Sequence, residues 1–147
     1  MTPNPILVLG DFAGRLAQVL APDLKSAYLQ GSAGLMYATM GMMVEEWDRS
    51  ADRLAEENAA IRTLFDQAAP LAPGGLSVRL DEMARARDGD LKVSTLQAAN
   101  NTLRAALIEL QAWAETQTGS AVAALNDGIW AELARSTERR RLSATPF

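Results

Sequence analysis

The residues of this chain that could carry out chemistry are carboxylates in one row. Glu45, Asp48 and Asp52 are spaced by three and four residues, so a helix would place all three on one face. Carboxylate oxygens are ligands for Mg²⁺ and similar hard cations. The row therefore predicts, as one alternative, a divalent-metal-dependent hydrolase. A solvated ion-pair face explains the same residues, because Arg49 follows Glu45 at the i+4 spacing.

Other catalytic arrangements lack their components. The chain has no histidine and no cysteine, which removes the usual general base, the thiolate nucleophile and the commonest transition-metal ligands. No phosphate-binding loop of the Walker type occurs, because the glycines of "LAPGGLS" are not followed by Lys-Ser or Lys-Thr. We therefore expect no cofactor and no metal, and the sequence disfavours an enzyme.

The charge distribution argues against nucleic acid as a partner. The net charge is −4, and residues 45–57 alone carry six acidic and two basic side chains, which is also −4. The remainder of the chain is balanced and offers no broad basic face for phosphates.

Apolar residues at three- and four-residue spacing predict four main helices. The predicted spans are 5–20, 23–68, 91–118 and 120–135, with a short helix over 77–87, capped by Ser77, in the 69–93 connection. This pattern predicts an all-α, up-and-down helical bundle with one long central helix. We expect a single domain over residues 1–137 and a flexible C-terminal tail over residues 138–147.

Two predicted helices each carry one asparagine on the apolar seam. Asn58 lies about ten residues before the end of its helix, and Asn100 about nine residues after the start of the other. In an antiparallel helical hairpin they would lie at the same level. We therefore predict a buried polar pair that sets the register of the two helices.

The long helix contains a stretch without charge, residues 26–44. The stretch is long enough to span a bilayer, but three glycines and several polar residues make it only mildly apolar, and an acidic cluster follows it. A membrane span is therefore not predicted.

Helix lengths indicate that the chain cannot cover this stretch by itself. The later helices fold back along the C-terminal half of the long helix, which leaves only the first helix to cover the N-terminal half. A second copy of the chain would supply the missing cover, so we predict a homodimer formed through the first two helices. Small residues would allow close approach of two backbones at Ala27, Gly31, Gly34, Ala38 and Gly41.

Two alternatives remain for the same stretch. The sequence "GSAG" at 31–34 could break the helix, because glycine is a poor helix former. Alternatively, the stretch could line a pocket for a small apolar ligand or an acyl chain. The residues that would form this pocket are Met36, Tyr37, Met40, Met43 and Trp47.

The resulting hypothesis is a non-enzymatic interaction or assembly module that forms homodimers. The start of the chain lacks the basic segment of a secretory signal, so a cytoplasmic location is expected. The excess of arginine over lysine and the abundant alanine indicate a bacterial source.

Overall fold

The computed structural model describes residues 3–143, and every regular element in that range is helical. Five α-helices follow one another along the chain: α1 (Pro5–Arg15), α2 (Ala27–Ala68), α3 (Gly74–Arg85), α4 (Val93–Glu115) and α5 (Ser120–Arg139). The predicted all-α fold is confirmed. The predicted four main helices and one short helix correspond approximately to these five α-helices, with α3 as the short helix.

The first predicted helix is shorter than expected. Asn4 caps α1, because its Oδ1 accepts hydrogen bonds from the backbone N–H groups of Ile6 at 3.0 Å and Leu7 at 3.4 Å. After Arg15 the chain continues through a π-helical segment, Leu16–Leu20, and a 3₁₀ turn, Ala21–Asp23. Pro22 lies in the 3₁₀ turn, and its missing N–H is consistent with the end of the helical segment there.

Helix α2 is continuous through the glycines at 31 and 34, so the alternative break at "GSAG" does not occur. Its start lies at Ala27, four residues later than predicted. The side chain of Gln30 donates to the backbone carbonyl of Leu24 at 2.8 Å and ties the preceding loop to the first turn. A long helix can accommodate two glycines because each costs only about 1 kcal/mol relative to alanine.

The described chain divides into two compact units. The first unit contains residues 3–50 and 141–143, and the second contains Ala51–Arg140. The prediction of one domain over 1–137 with a flexible tail from 138 stays a prediction. Helix α5 itself runs to Arg139, and the last four residues of the predicted tail lie outside the described residues.

The second unit has an apolar core built from four helical segments. Its buried side chains come from the end of α2 and from α3, α4 and α5 at three- and four-residue spacing: Ile61, Leu64, Phe65, Ala68, Ala69, Leu80, Leu103, Ala106, Leu107, Leu110, Leu125 and Ile129. Gly119 connects α4 to α5 with φ of 133°, a conformation that a residue with a Cβ rarely adopts. This glycine allows α5 to turn back and contribute Leu125 and Ile129 to the core.

The cap predicted for the short helix is wrong. Helix α3 begins at Gly74, with Pro73 at the N-cap position, so Ser77 lies inside the first turn. The Ser77 hydroxyl instead donates to the backbone carbonyl of Ala69 at 2.6 Å. This bond joins α3 to the end of α2, a tertiary contact that local sequence does not report.

Within residues 3–143, no helix combines the length and the apolar character needed to cross a bilayer.

Candidate functional site

The first unit leaves most of its large apolar side chains exposed. Its buried apolar residues are two alanines, Ala13 and Ala33. The following large apolar side chains of this unit are between 47% and 80% exposed: Leu7, Phe12, Val19, Leu20, Tyr28, Leu29, Leu35, Met36, Tyr37, Met43 and Trp47. Isolated exposed apolar residues are ordinary, whereas a concentration of them is typical of protein, membrane or ligand contact surfaces.

The residues predicted to line a ligand pocket lie on this surface. Met36, Tyr37, Met43 and Trp47 are all at least half exposed, and Met40 is half-buried. Ligand sites normally enclose most of the ligand surface. The structure brings these five residues together on α2 as an open helix surface, and the pocket itself stays a prediction.

The residues predicted to form the dimer contact are accessible. Ala27, Gly31 and Gly34 are exposed, and Ala38 and Gly41 are half-buried. A Cβ added at any of the three glycines would meet no other atom within 4 Å. This face of α2 therefore has room for another backbone, while Met36, Met43 and Trp47 lie on the opposite side of the helix.

Of the three carboxylates in the predicted metal row, Glu45 is occupied by other partners. It accepts hydrogen bonds from Arg49 Nη1 at 2.6 Å and from the backbone N–H and hydroxyl of Ser143, the latter at 2.7 Å. The Ser143 hydroxyl is the main influence that lowers the pKa of Glu45. Asp48 and Asp52 are exposed. Among the described residues, no group of three or more His, Cys, Asp or Glu side chains is arranged to hold a metal ion.

The two asparagines of the apolar seams meet inside the second unit. Asn100 Nδ2 donates to Asn58 Oδ1 at 3.0 Å, and both side chains are fully buried. Asn58 Nδ2 donates in turn to the backbone carbonyl of Leu96 and to Asp88 Oδ1, each at 3.2 Å. Arg62 binds both oxygens of Asp88 and is the main cause of the lowered pKa of that carboxyl. Asn58 and Arg62 therefore hold the 86–92 loop against α2 through their bonds to Asp88.

A second polar cluster was not predicted from the sequence. Glu57 is 1% exposed and accepts hydrogen bonds from Arg104 Nη1 at 2.6 Å, Arg140 Nη2 at 2.5 Å and the Ser136 hydroxyl at 3.1 Å. Burial is the largest single influence on the Glu57 pKa and raises it, but the hydrogen bonds from Arg140, Arg104 and Ser136 and the charge of Arg140 together outweigh burial and lower the pKa. The spacing Leu54–Glu57–Ile61 is the sequence signal that could have placed this glutamate on the buried face.

Buried Glu132 belongs to the same end of the second unit. Its carboxylate binds Arg135 Nε at 3.1 Å and also Arg139, while Arg139 Nη1 lies 3.5 Å from Glu56. Arg139 and Arg140 therefore both bind carboxylates of their own chain. The first residues of the predicted tail thus include Arg139 and Arg140, whose ion pairs with α2 connect it to the end of α5.

The second unit also carries a shallow, open groove on the surface of α3 and α4, of about 470 Å³. Its lining residues are Arg79, Met83, Asn101, Thr102, Ala105, Ala106 and Glu109. An ion pair joins Arg79 to Glu109 at its edge. The two ionisable side chains that line the groove are therefore paired with each other.

Comparison of the chain with protein-family models, curated proteins and solved structures finds no match.

Proposed function

We propose that the chain is a non-enzymatic assembly module that forms a homodimer through α1 and residues 27–47 of α2. The observation that carries this proposal is the exposed apolar surface of the first unit. An assembly role depends on a large apolar surface and does not need reactive side chains. The chain has neither histidine nor cysteine, which fits such a role.

The exposed area supports a protein partner of ordinary size. Four exposed aromatic residues contribute to the surface, Phe12, Tyr28, Tyr37 and Trp47. At about 200 Å² for each aromatic side chain, their exposed fractions amount to roughly 500 Å². At on the order of 100 Å² for each fully exposed aliphatic side chain, the exposed aliphatic residues bring the sum to about 900 Å². Each partner in a standard protein–protein interface buries about 800 Å² in total, so the exposed apolar side chains of the first unit are sufficient for such an interface.

A second copy fits this surface better than a small ligand does. The exposed side chains extend along both α1 and α2 over many turns, whereas a drug-sized ligand or acyl chain is held in a concave site. The metal hydrolase is also less well supported, because Glu45 is engaged by Ser143 and Arg49. A symmetric dimer covers the same surface on both copies, since each copy buries the residues that the other buries.

Light scattering at micromolar concentration tests the proposal, and we expect twice the chain mass of 15.8 kDa. A double variant, Gly34→Glu with Met36→Glu, places charges on opposite faces of α2 and should convert the dimer to a monomer. The matched control, Val78→Glu with Ile108→Glu, changes two exposed apolar residues of the second unit and should stay dimeric. A monomeric parent chain, or a double variant at 34 and 36 that stays dimeric, would contradict the proposal.

Native mass spectrometry separates the proposed dimer from a lipid carrier. We expect an unliganded dimer. A monomer that carries a co-purified acyl compound would instead support the pocket at Met36, Tyr37, Met40, Met43 and Trp47. A metal-dependent rise in melting temperature that is lost in Asp48→Ala would support the hydrolase.

The proposal includes the cytoplasm of a bacterial cell as the location of the dimer. The composition supports the bacterial source, and fractionation of such a cell would test the compartment.

A further inference from the structure

The exposed side chains of α2 include a regular apolar row. Leu29, Met36 and Met43 recur every seven residues, and Trp47 follows four residues later. Seven residues make nearly two helical turns, so these four side chains lie on one face. Each of them is about half exposed or more. We call these four residues the apolar row.

The two ends of the apolar row differ in charge. Lys25 and Asp23 precede it and balance each other. Residues 45–49 at the other end carry three carboxylates and one guanidinium, a net charge of −2. Residues 26–44 between the two ends have no charged side chain. The apolar row is therefore neutral along most of its length and acidic at one end only.

We propose that two copies pair through the apolar row with their α2 helices antiparallel and Met36 at the twofold axis. This inference rests on the proposed homodimer and specifies its geometry. Leu29 then faces Met43 of the partner subunit, since both lie seven residues from the axis. Lys25, two residues before α2 begins, then lies close to the level of Trp47 of the partner subunit, where an ammonium group and an indole ring attract each other.

Electrostatics favours the antiparallel arrangement. Packed helices lie 8–10 Å apart, so a parallel pair would bring the two acidic ends within about one Debye length of each other. In the antiparallel pair the acidic ends are separated by about 33 Å along the axis, at 1.5 Å per residue. At that distance physiological salt screens their repulsion almost completely.

Hydrophobic burial favours the apolar row over the glycine face. Association in water depends on the apolar area removed from solvent, and glycine contributes almost none. Methionine also adapts its shape to an irregular partner surface, which suits a self-complementary contact. The glycines at 31, 34 and 41 then face away from the partner helix.

Single cysteines test this geometry, because the chain has none of its own. Leu29→Cys, Met36→Cys and Met43→Cys are each treated with a short bis-maleimide reagent and analysed by denaturing electrophoresis. Only Met36→Cys should give the band at twice the chain mass, since equivalent atoms at positions 29 or 43 are about 21 Å apart along the axis. Mixing the Leu29→Cys and Met43→Cys chains and allowing them to exchange should produce a cross-linked heterodimer.

A fourth variant, Gly34→Cys, is the control on the opposite face of α2, and it should remain uncross-linked. Cross-linking at 29, 36 and 43 alike would show a parallel pair, and cross-linking at 34 instead of 36 would show a glycine-face contact. Either result overturns the proposed geometry but leaves the homodimer intact. If light scattering shows the parent chain to be a monomer, the homodimer and its geometry both fail.

Discussion

Replacing Glu57 by glutamine tests whether the unpredicted polar cluster stabilises the second unit. The substitution preserves the size of the side chain and removes its charge. Two guanidinium groups, Arg104 and Arg140, then lose their ionised acceptor, while the Ser136 hydroxyl keeps a neutral one. We expect the free energy of unfolding to fall.

The magnitude follows from the contacts of Glu57. A hydrogen bond to a charged group stabilises a protein by about 1.5–3 kcal/mol, against about 1 kcal/mol for a neutral bond. Removing one partner of a fully buried ion pair costs about 3–5 kcal/mol. The side chains of Arg104 and Arg140 are 41% and 42% exposed, so water can solvate them after the substitution. We therefore expect a loss of about 2 kcal/mol, below the fully buried range.

Urea denaturation at neutral pH measures this loss. Circular dichroism and tryptophan fluorescence should give coincident transitions, and the slope with urea concentration should match that of the parent chain. The neighbouring Glu56→Gln is the matched control, because Glu56 is 60% exposed and lies 3.5 Å from Arg139. An exposed ion pair contributes about 0.2–1 kcal/mol, so the control should change stability little.

The pH dependence of the same difference provides a second test. The pKa of Glu57 in the folded chain lies below its ordinary value of 4.5, so ionised Glu57 stabilises the fold at pH values above 4.5. That contribution is lost as the pH falls through the lowered folded-state pKa. The stability difference between the parent chain and Glu57→Gln should therefore be constant near neutrality and shrink in acid. Equal effects of the two glutamine variants, or a difference that persists in acid, would refute the reasoning.

Three further predictions concern other parts of the chain. Gly34→Ala should raise the thermal midpoint, because the added Cβ meets nothing within 4 Å and alanine favours a helix by about 1 kcal/mol. Gly119→Ala should lower the thermal midpoint, because φ at that position is 133°, a conformation that alanine rarely adopts. Asn100→Ala should cost about 1–3 kcal/mol in urea denaturation, because it leaves the buried Oδ1 of Asn58 without a donor; an unchanged midpoint would show that the pair is not structural. Phe65→Ala should cost about 3–5 kcal/mol by the same assay, since Phe65 is fully buried in the core, and a loss below 1 kcal/mol would contradict the described packing.

The sequence alone determined the helical content and some of the helix limits, because these depend on local interactions. Apolar residues at three- and four-residue spacing define a helix within a few turns, and proline and glycine interrupt it locally. The end of α2 at Ala68 and the start of α5 at Ser120 agree with the predicted limits for this reason. The alignment of Asn58 with Asn100 could also be anticipated, since it requires only two helix lengths and one reversal of direction.

Tertiary structure decided what each exposed or buried side chain contacts. Glu56 and Glu57 are adjacent and chemically alike, yet one is largely exposed and the other is buried against two arginines. Arg104 and Arg140 lie far from Glu57 in the sequence, so only the folded chain brings these three residues together. The same limit applies to the first unit, where the sequence indicated too little covering material. Only the folded structure determines which side chains of α1 and α2 remain in contact with water, because exposure depends on every other part of the chain.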